Sequence, residues 1–191
     1  MLRRRAWDRL LSWKEQKDKK ALCIIGARQT GKTTLVRQFA KENYECFAEI
    51  NFITDPGAAS IFADTLEADT VITNMTAYLR RPLIPGRTLV LLDEIQECPE
   101  ARTAIKFLVE DGRFDYIETG SMLGVRYKEV RSYPVGYEEI YRMYPMDIEE
   151  FLWANGVQDR TIEYLRDCFE KSVPVSESVH TTLNKLFMSY M

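Results

Sequence analysis

The chain has 191 residues, 46% hydrophobic and 29% charged, with 26 basic against 29 acidic residues and a net charge of −3. That length buries a core without disulfide or metal staples, and the balance of residue types excludes disordered and fibrous classes. A dedicated nucleic-acid module is usually basic, so the bulk charge also argues against the chain being only that.

Residues 2–17 predict a helix, with Leu2, Ala6, Leu10 and Trp13 on one stripe. Eight basic and three acidic residues fall within 3–20. They read as a solvated helix face, or alternatively as a positive patch near phosphates or nucleic acid. The apolar run Ala21-Leu22-Cys23-Ile24-Ile25 suits a central parallel strand, and it is far too short to span a bilayer. A glycine-containing turn leads into a helix over 33–41. A second strand covers Cys46 to Phe52, and Asp55-Pro56-Gly57 is a turn. Residues 58–80 read as helix in two pieces, broken around Asp69-Thr70. Thr88 to Leu92 is a third buried strand ended by Asp93-Glu94. A helix begins near Pro99, and a fourth strand runs from Phe114 to Thr119. Strands alternating with helices predict an α/β fold with a parallel sheet. Tyr137 to Met143 gives a fifth strand, and helices are expected over 146–156, 159–171 and 176–190. From Glu138 to Glu177 ten acidic residues face four basic ones. The expected division is an N-terminal helix (1–20), a core (21–146) and a helical extension (147–191). That extension ends inside an apolar stripe and so reads as truncated.

Cys23, Cys46, Cys98 and Cys168 are scattered, no C-x-x-C pair occurs, and His180 is the single histidine. Buried thiols in a reduced chain are therefore expected rather than a zinc site. The basic N-terminus lacks an apolar signal core, so a cytoplasmic location without membrane attachment is expected.

The chemistry lies in Gly26-Ala27-Arg28-Gln29-Thr30-Gly31-Lys32-Thr33, with Thr34 following, which matches G-x-x-x-x-G-K-[ST] between a strand and a helix. Gly26 and Gly31 let the backbone wrap phosphate oxygens, and the helix N-terminus adds its dipole. Lys32 would neutralise β/γ-phosphate charge, and the Thr33 hydroxyl would ligate Mg²⁺. Asp93 at the end of the third strand would hold the metal through water. Glu94 would polarise an attacking water. Thr119 or Ser121, at the end of the next strand, would lie between these acids and the γ-phosphate and report its presence. Arg126 and Arg131 follow that position, at spacings diagnostic of no arginine finger. Asn184-Lys185-Leu186-Phe187 lacks the Asp of a guanine-specific motif, so a guanine-specific GTPase is not expected.

Beyond the phosphate loop, Leu92-Asp93-Glu94-Ile95-Gln96, Glu118-Thr119-Gly120-Ser121 and Tyr144-Pro145-Met146-Asp147-Ile148-Glu149-Glu150-Phe151-Leu152 resemble a prokaryotic family of AAA+ ATP-binding proteins. In that family the P-loop ATPase domain precedes a C-terminal domain of unknown function. The resemblance implies a P-loop NTPase core, with a mainly parallel five-stranded sheet and the phosphate-loop strand at its centre. It also implies ATP and Mg²⁺ as cofactors, a C-terminal domain as partner and a homo-oligomer as an open option. Many members carry Gly-Arg where this chain has Gly136-Tyr137. The leading expectation is an ATPase whose hydrolysis drives a change of shape in a larger protein. The alternatives are a nucleotide switch or scaffold with little hydrolysis, and a nucleic-acid-associated ATPase.

Overall fold

The computed structural model describes residues 2–121 and 136–191. The chain divides into two units, Leu10–Tyr144 and a second formed by Met1–Arg9 with Pro145–Met191.

The first unit is built on five strands: β1 (Ala21–Gly26), β2 (Cys46–Asn51), β3 (Thr88–Asp93), β4 (Asp115–Ser121) and β5 (Glu138–Arg142). Their order is β2-β3-β4-β1-β5, and every neighbouring pair is parallel. The phosphate-loop strand β1 is therefore flanked on both sides, as its uninterrupted burial demands. It is not the middle strand, however: β4 holds that place. The apolar runs that made β1, β3 and β4 recognisable do not encode which of them pairs with which.

Helix α1 (Arg5–Lys14) is shorter than the predicted 2–17. Ala6, Leu10 and Trp13 are buried, whereas Leu2 is exposed. Trp13 Nε1 donates to the Lys20 carbonyl at 2.8 Å, which satisfies the indole inside the core. Helix α2 (Lys32–Asn43) packs on β1 to β4 through a face that includes Leu35, Val36 and Phe39. Helices α3 (Ala68–Leu79) and α4 (Pro99–Asp111) share a core cluster with Cys23, Ile25, Val90 and Leu92. Leu22, Ile24, Leu89 and Leu91 alternate to the other face of the sheet. The result is a sheet with helices on both sides.

The segment before α3 corrects the predicted break. Pro56–Phe62 forms a 3-10 helix, α3 starts at Ala68, and Asp69 and Thr70 sit in its first turn. An acidic residue there favours the helix start through the dipole, so the polar pair marks a beginning and not an interruption. Gly120 and Ser121, which follow the predicted 114–119 strand, complete β4.

In the second unit, α5 (Ile148–Ala154), α6 (Asp159–Glu170) and α7 (Glu177–Tyr190) follow in sequence. Asp147 and Glu150 form a reciprocal capping box at the start of α5. The Glu150 carboxylate also accepts from the Arg5 amide at 2.8 Å and from Arg4 Nε at 3.1 Å. No described helix is long and apolar enough to cross a membrane.

Candidate functional site

The C-terminal ends of parallel strands gather side chains at one edge, and the loops there form the natural crevice. The segment after β1 turns sharply, with Gln29 at φ 63° and Gly31 at φ 87°. A left-handed Gly31 caps α2 without any side-chain hydrogen bond. The first amides of α2 therefore point forward with no partner inside the helix. Gly26 has a further reason to be glycine. A Cβ on it would lie 2.2 Å from the Met143 carbonyl oxygen, so the chain leaving β5 demands the missing side chain.

A cleft of about 340 Å³ opens here, and Arg28, Gln29, Gly31, Lys32, Thr33, Thr34 and Glu94 line it. Lys32 is buried, and its Nζ donates to the carbonyls of Gly26 at 3.1 Å and Ala27 at 2.8 Å. Burial pushes its ammonium below the ordinary value, and the charges of Glu94 and Asp93 oppose that shift. Thr30 is also buried, and its hydroxyl donates back to the Ala27 carbonyl at 3.1 Å, closing the loop on itself.

Asp93 is the hub. The Thr33 hydroxyl donates to its Oδ1 at 2.9 Å, the Thr119 hydroxyl donates to the same oxygen, and Asn51 Nδ2 donates to Oδ2 at 2.7 Å. Thr119 is fully buried on β4 and is not among the cleft-lining residues. The Glu94 amide reaches the Thr119 hydroxyl oxygen at 3.4 Å, so that hydroxyl touches both acidic residues. Ser121 ends β4 half-buried. Arg126 and Arg131 lie outside the described residues.

Glu94 follows Asp93 directly, and a continuing strand would send the two side chains to opposite faces. The backbone turns instead. Glu94 is left-handed at φ 57°, ψ 47°, and a 3-10 turn, Ile95–Glu97, follows. This brings Glu94 to the cleft that holds Lys32. Sequence reasoning missed two residues of the arrangement. Asn51 is the register partner of Asp93 across β2 and β3. Gln96 donates from Nε2 to Glu94 Oε2 at 2.6 Å. The sequence carries no signal for Asn51 until β2 is known to lie beside β3. Gln96 gave none beyond its place in the motif.

Two other features compete for attention. A larger cavity, about 530 Å³, lies at the opposite edge of the sheet, where Lys17, Lys19, Lys20 and Tyr116 contribute to its wall. It has no helix N-terminus or glycine loop to cradle phosphate. Among the described residues one group has metal-ligand spacing: Cys23, Glu118 and Glu138, on β1, β4 and β5. Arg102 Nη2 already bonds both Glu138 oxygens there, at 2.9 and 3.0 Å. Both Glu118 carboxyl oxygens are buried without a hydrogen-bond partner. Burial, then the nearby Glu138 charge, pushes the Glu118 carboxyl well up, which favours the neutral acid. Cys23 is pushed up by the same burial, so it behaves as the inert thiol expected of it.

The sequence model of a family described as an AAA domain matches residues 18–152. No curated protein matches the sequence. Among solved structures, Drosophila ORC bound to DNA is similar at a TM-score of 0.52 and 15% identity, covering 84% of this chain and 47% of that one. Cdc6p from Pyrobaculum aerophilum is similar at a TM-score of 0.49 and 15% identity, covering 80% and 48%. The chain thus spans about half the length of these solved chains. At 15% identity the likeness to ORC speaks for the shared fold alone.

Proposed function

The chain belongs to the AAA domain family, and from that premise we propose that its cleft binds Mg-ATP and hydrolyses it, driving a change of shape in a larger protein. One observation carries this reading: Lys32, Thr33 and Glu94 line a single cleft while Asp93 bonds Thr33 from behind. The forward amides of α2 and the Lys32 ammonium would hold the phosphates, with the lysine exchanging its two carbonyl partners for phosphate oxygen. The Thr33 hydroxyl and the Asp93 carboxylate, 2.9 Å apart, are hard oxygen donors of the kind Mg²⁺ takes one or two of. Bound there, the ion would neutralise charge building on the phosphates. Glu94 would orient a water and accept its proton, worth about 10²–10⁴ in rate. Thr119 would hold Asp93 in place.

Glu94→Gln keeps the shape and removes the charge. Under single-turnover conditions its hydrolysis rate is expected to fall by about 10²–10⁴, with ATP affinity equal or tighter. Equal slow rates for wild type and variant would replace the hydrolase with a nucleotide-binding switch.

A further inference from the structure

The backbone turn that delivers Glu94 to the cleft does not by itself aim the carboxylate, which still rotates about its own side-chain bonds. What aims it is the side chain two residues on. Gln96 is 7% exposed and lies on the 3-10 turn after β3, beside the fully buried Ile95. The turn is closed by its own hydrogen bonds, from the Glu97 amide to the Glu94 carbonyl at 3.0 Å and from the Cys98 amide to the Ile95 carbonyl at 3.1 Å. Gln96 therefore has little freedom. Its Nε2 donates to Glu94 Oε2 at 2.6 Å. Only the amide's NH₂ end can face a carboxylate, so the orientation of the group is chemically determined. That orientation leaves the Gln96 carbonyl oxygen buried with no hydrogen-bond partner. A glutamine serving the core would satisfy both ends. This one leaves its acceptor unsatisfied and commits its donor to the acid in the cleft.

We infer that Gln96 is a positioning residue that holds Glu94 Oε2, leaving Oε1 to take the water. The inference rests on the proposed hydrolase reading and deepens it. Reactive groups need supports whose own rotamers are locked, and loss of such a support typically costs about 10–100-fold in activity. Gln96 has no place in nucleotide binding, because it is not among the residues lining the cleft.

The test is a double-mutant cycle on the whole chain, comparing wild type, Gln96→Leu, Glu94→Gln and the double variant. Single-turnover hydrolysis, calorimetric Mg-ATP affinity and thermal melting are read for each. Gln96→Leu is expected to hydrolyse about 10–100-fold more slowly with ATP affinity within about twofold of wild type. In the Glu94→Gln background the same change should cost nothing further, because its effect passes through the Glu94 carboxylate. A full additional loss in that background overturns the inference, and so does a Gln96→Leu variant as fast as or faster than wild type. If Gln96→Leu does not fold, Gln96→Met, which keeps the length and removes the donor, takes its place. Should wild type and Glu94→Gln hydrolyse equally, the hydrolase reading itself has failed. A normal gap between those two with an unaffected Gln96 variant overturns only the positioning role.

Discussion

Asn51 and Asp93 face each other at the C-terminal ends of β2 and β3, and the Asn51 amide donates to Asp93 Oδ2 at 2.7 Å. Asn51 Oδ1 meanwhile accepts from the amides of Ile53 at 3.0 Å and Thr54 at 2.9 Å. The asparagine is thus held by its own turn and holds the acid in turn. With Asn51 on Oδ2, the carboxylate is held in the orientation in which Thr33 reaches both of its oxygens, Oδ1 at 2.9 Å and Oδ2 at 3.2 Å. Asn51→Ala should weaken ATP binding in the presence of Mg²⁺ about 10–100-fold and leave Mg²⁺-free binding nearly unchanged, as expected for one lost hydrogen bond to a charged group. Asp93→Asn should show the same asymmetry more strongly. Calorimetry with and without the ion checks both. Equal losses in the two conditions would make the pair purely structural.

Lys32→Ala removes the one lysine that lines the cleft among the described residues. ATP affinity is expected to fall by at least ~2 kcal/mol, because desolvated phosphate charge loses its charge-assisted partner. Unchanged affinity in a calorimetric titration would refute the loop assignment.

Gly26→Ala tests why that position lacks a side chain. The new Cβ would lie 2.2 Å from the Met143 carbonyl oxygen, a backbone atom that cannot swing aside. Destabilisation of about 2–4 kcal/mol is expected in urea unfolding, even without nucleotide. A variant of wild-type stability that merely binds ATP poorly would return the glycine to the phosphates.

Glu118 predicts a pH dependence. Its carboxyl is raised in the fold, so the native state holds a proton that the unfolded chain gives up near the ordinary value of 4.5. The associated stability is complete below that value and is lost as pH climbs towards the folded value. Glu118→Gln keeps a neutral side chain and abolishes the titration. As pH rises above the ordinary carboxylate value, the wild type should progressively lose stability relative to this variant in urea unfolding. Parallel profiles would mean that Glu118 is ionised in the fold.

The phosphate loop, the acid-ended strand and the alternation of strands with helices were legible because each is written in consecutive residues. Sheet order was not, since the burial of β1 is satisfied equally by several neighbours. The donors on Asp93 come from positions 33, 51 and 119. Only the parallel stacking of β2, β3 and β4 brings them together, so Asn51 could not be recognised before the register was known. Glu94 shows the opposite limit. That its backbone turns is a local event, yet a left-handed glutamate has no sequence mark of the kind glycine supplies. Gln96 stood in a recognised motif and still carried no visible role, because its role depends on which end of its amide meets the acid.

The contacts of residues 3–5 have a bearing on how the protein is made. Arg3 bonds Asp159, Arg4 bonds Glu150, and the Arg5 amide reaches the same Glu150. Every one of these partners is translated after the whole β-sheet. At typical synthesis rates of about 5–20 residues per second, the segment waits roughly 7–30 s on the ribosome for its acids to emerge. Three arginines in a row can keep their charged heads in water while they wait. Residues 3–5 are therefore made before the sheet and find their partners only after it.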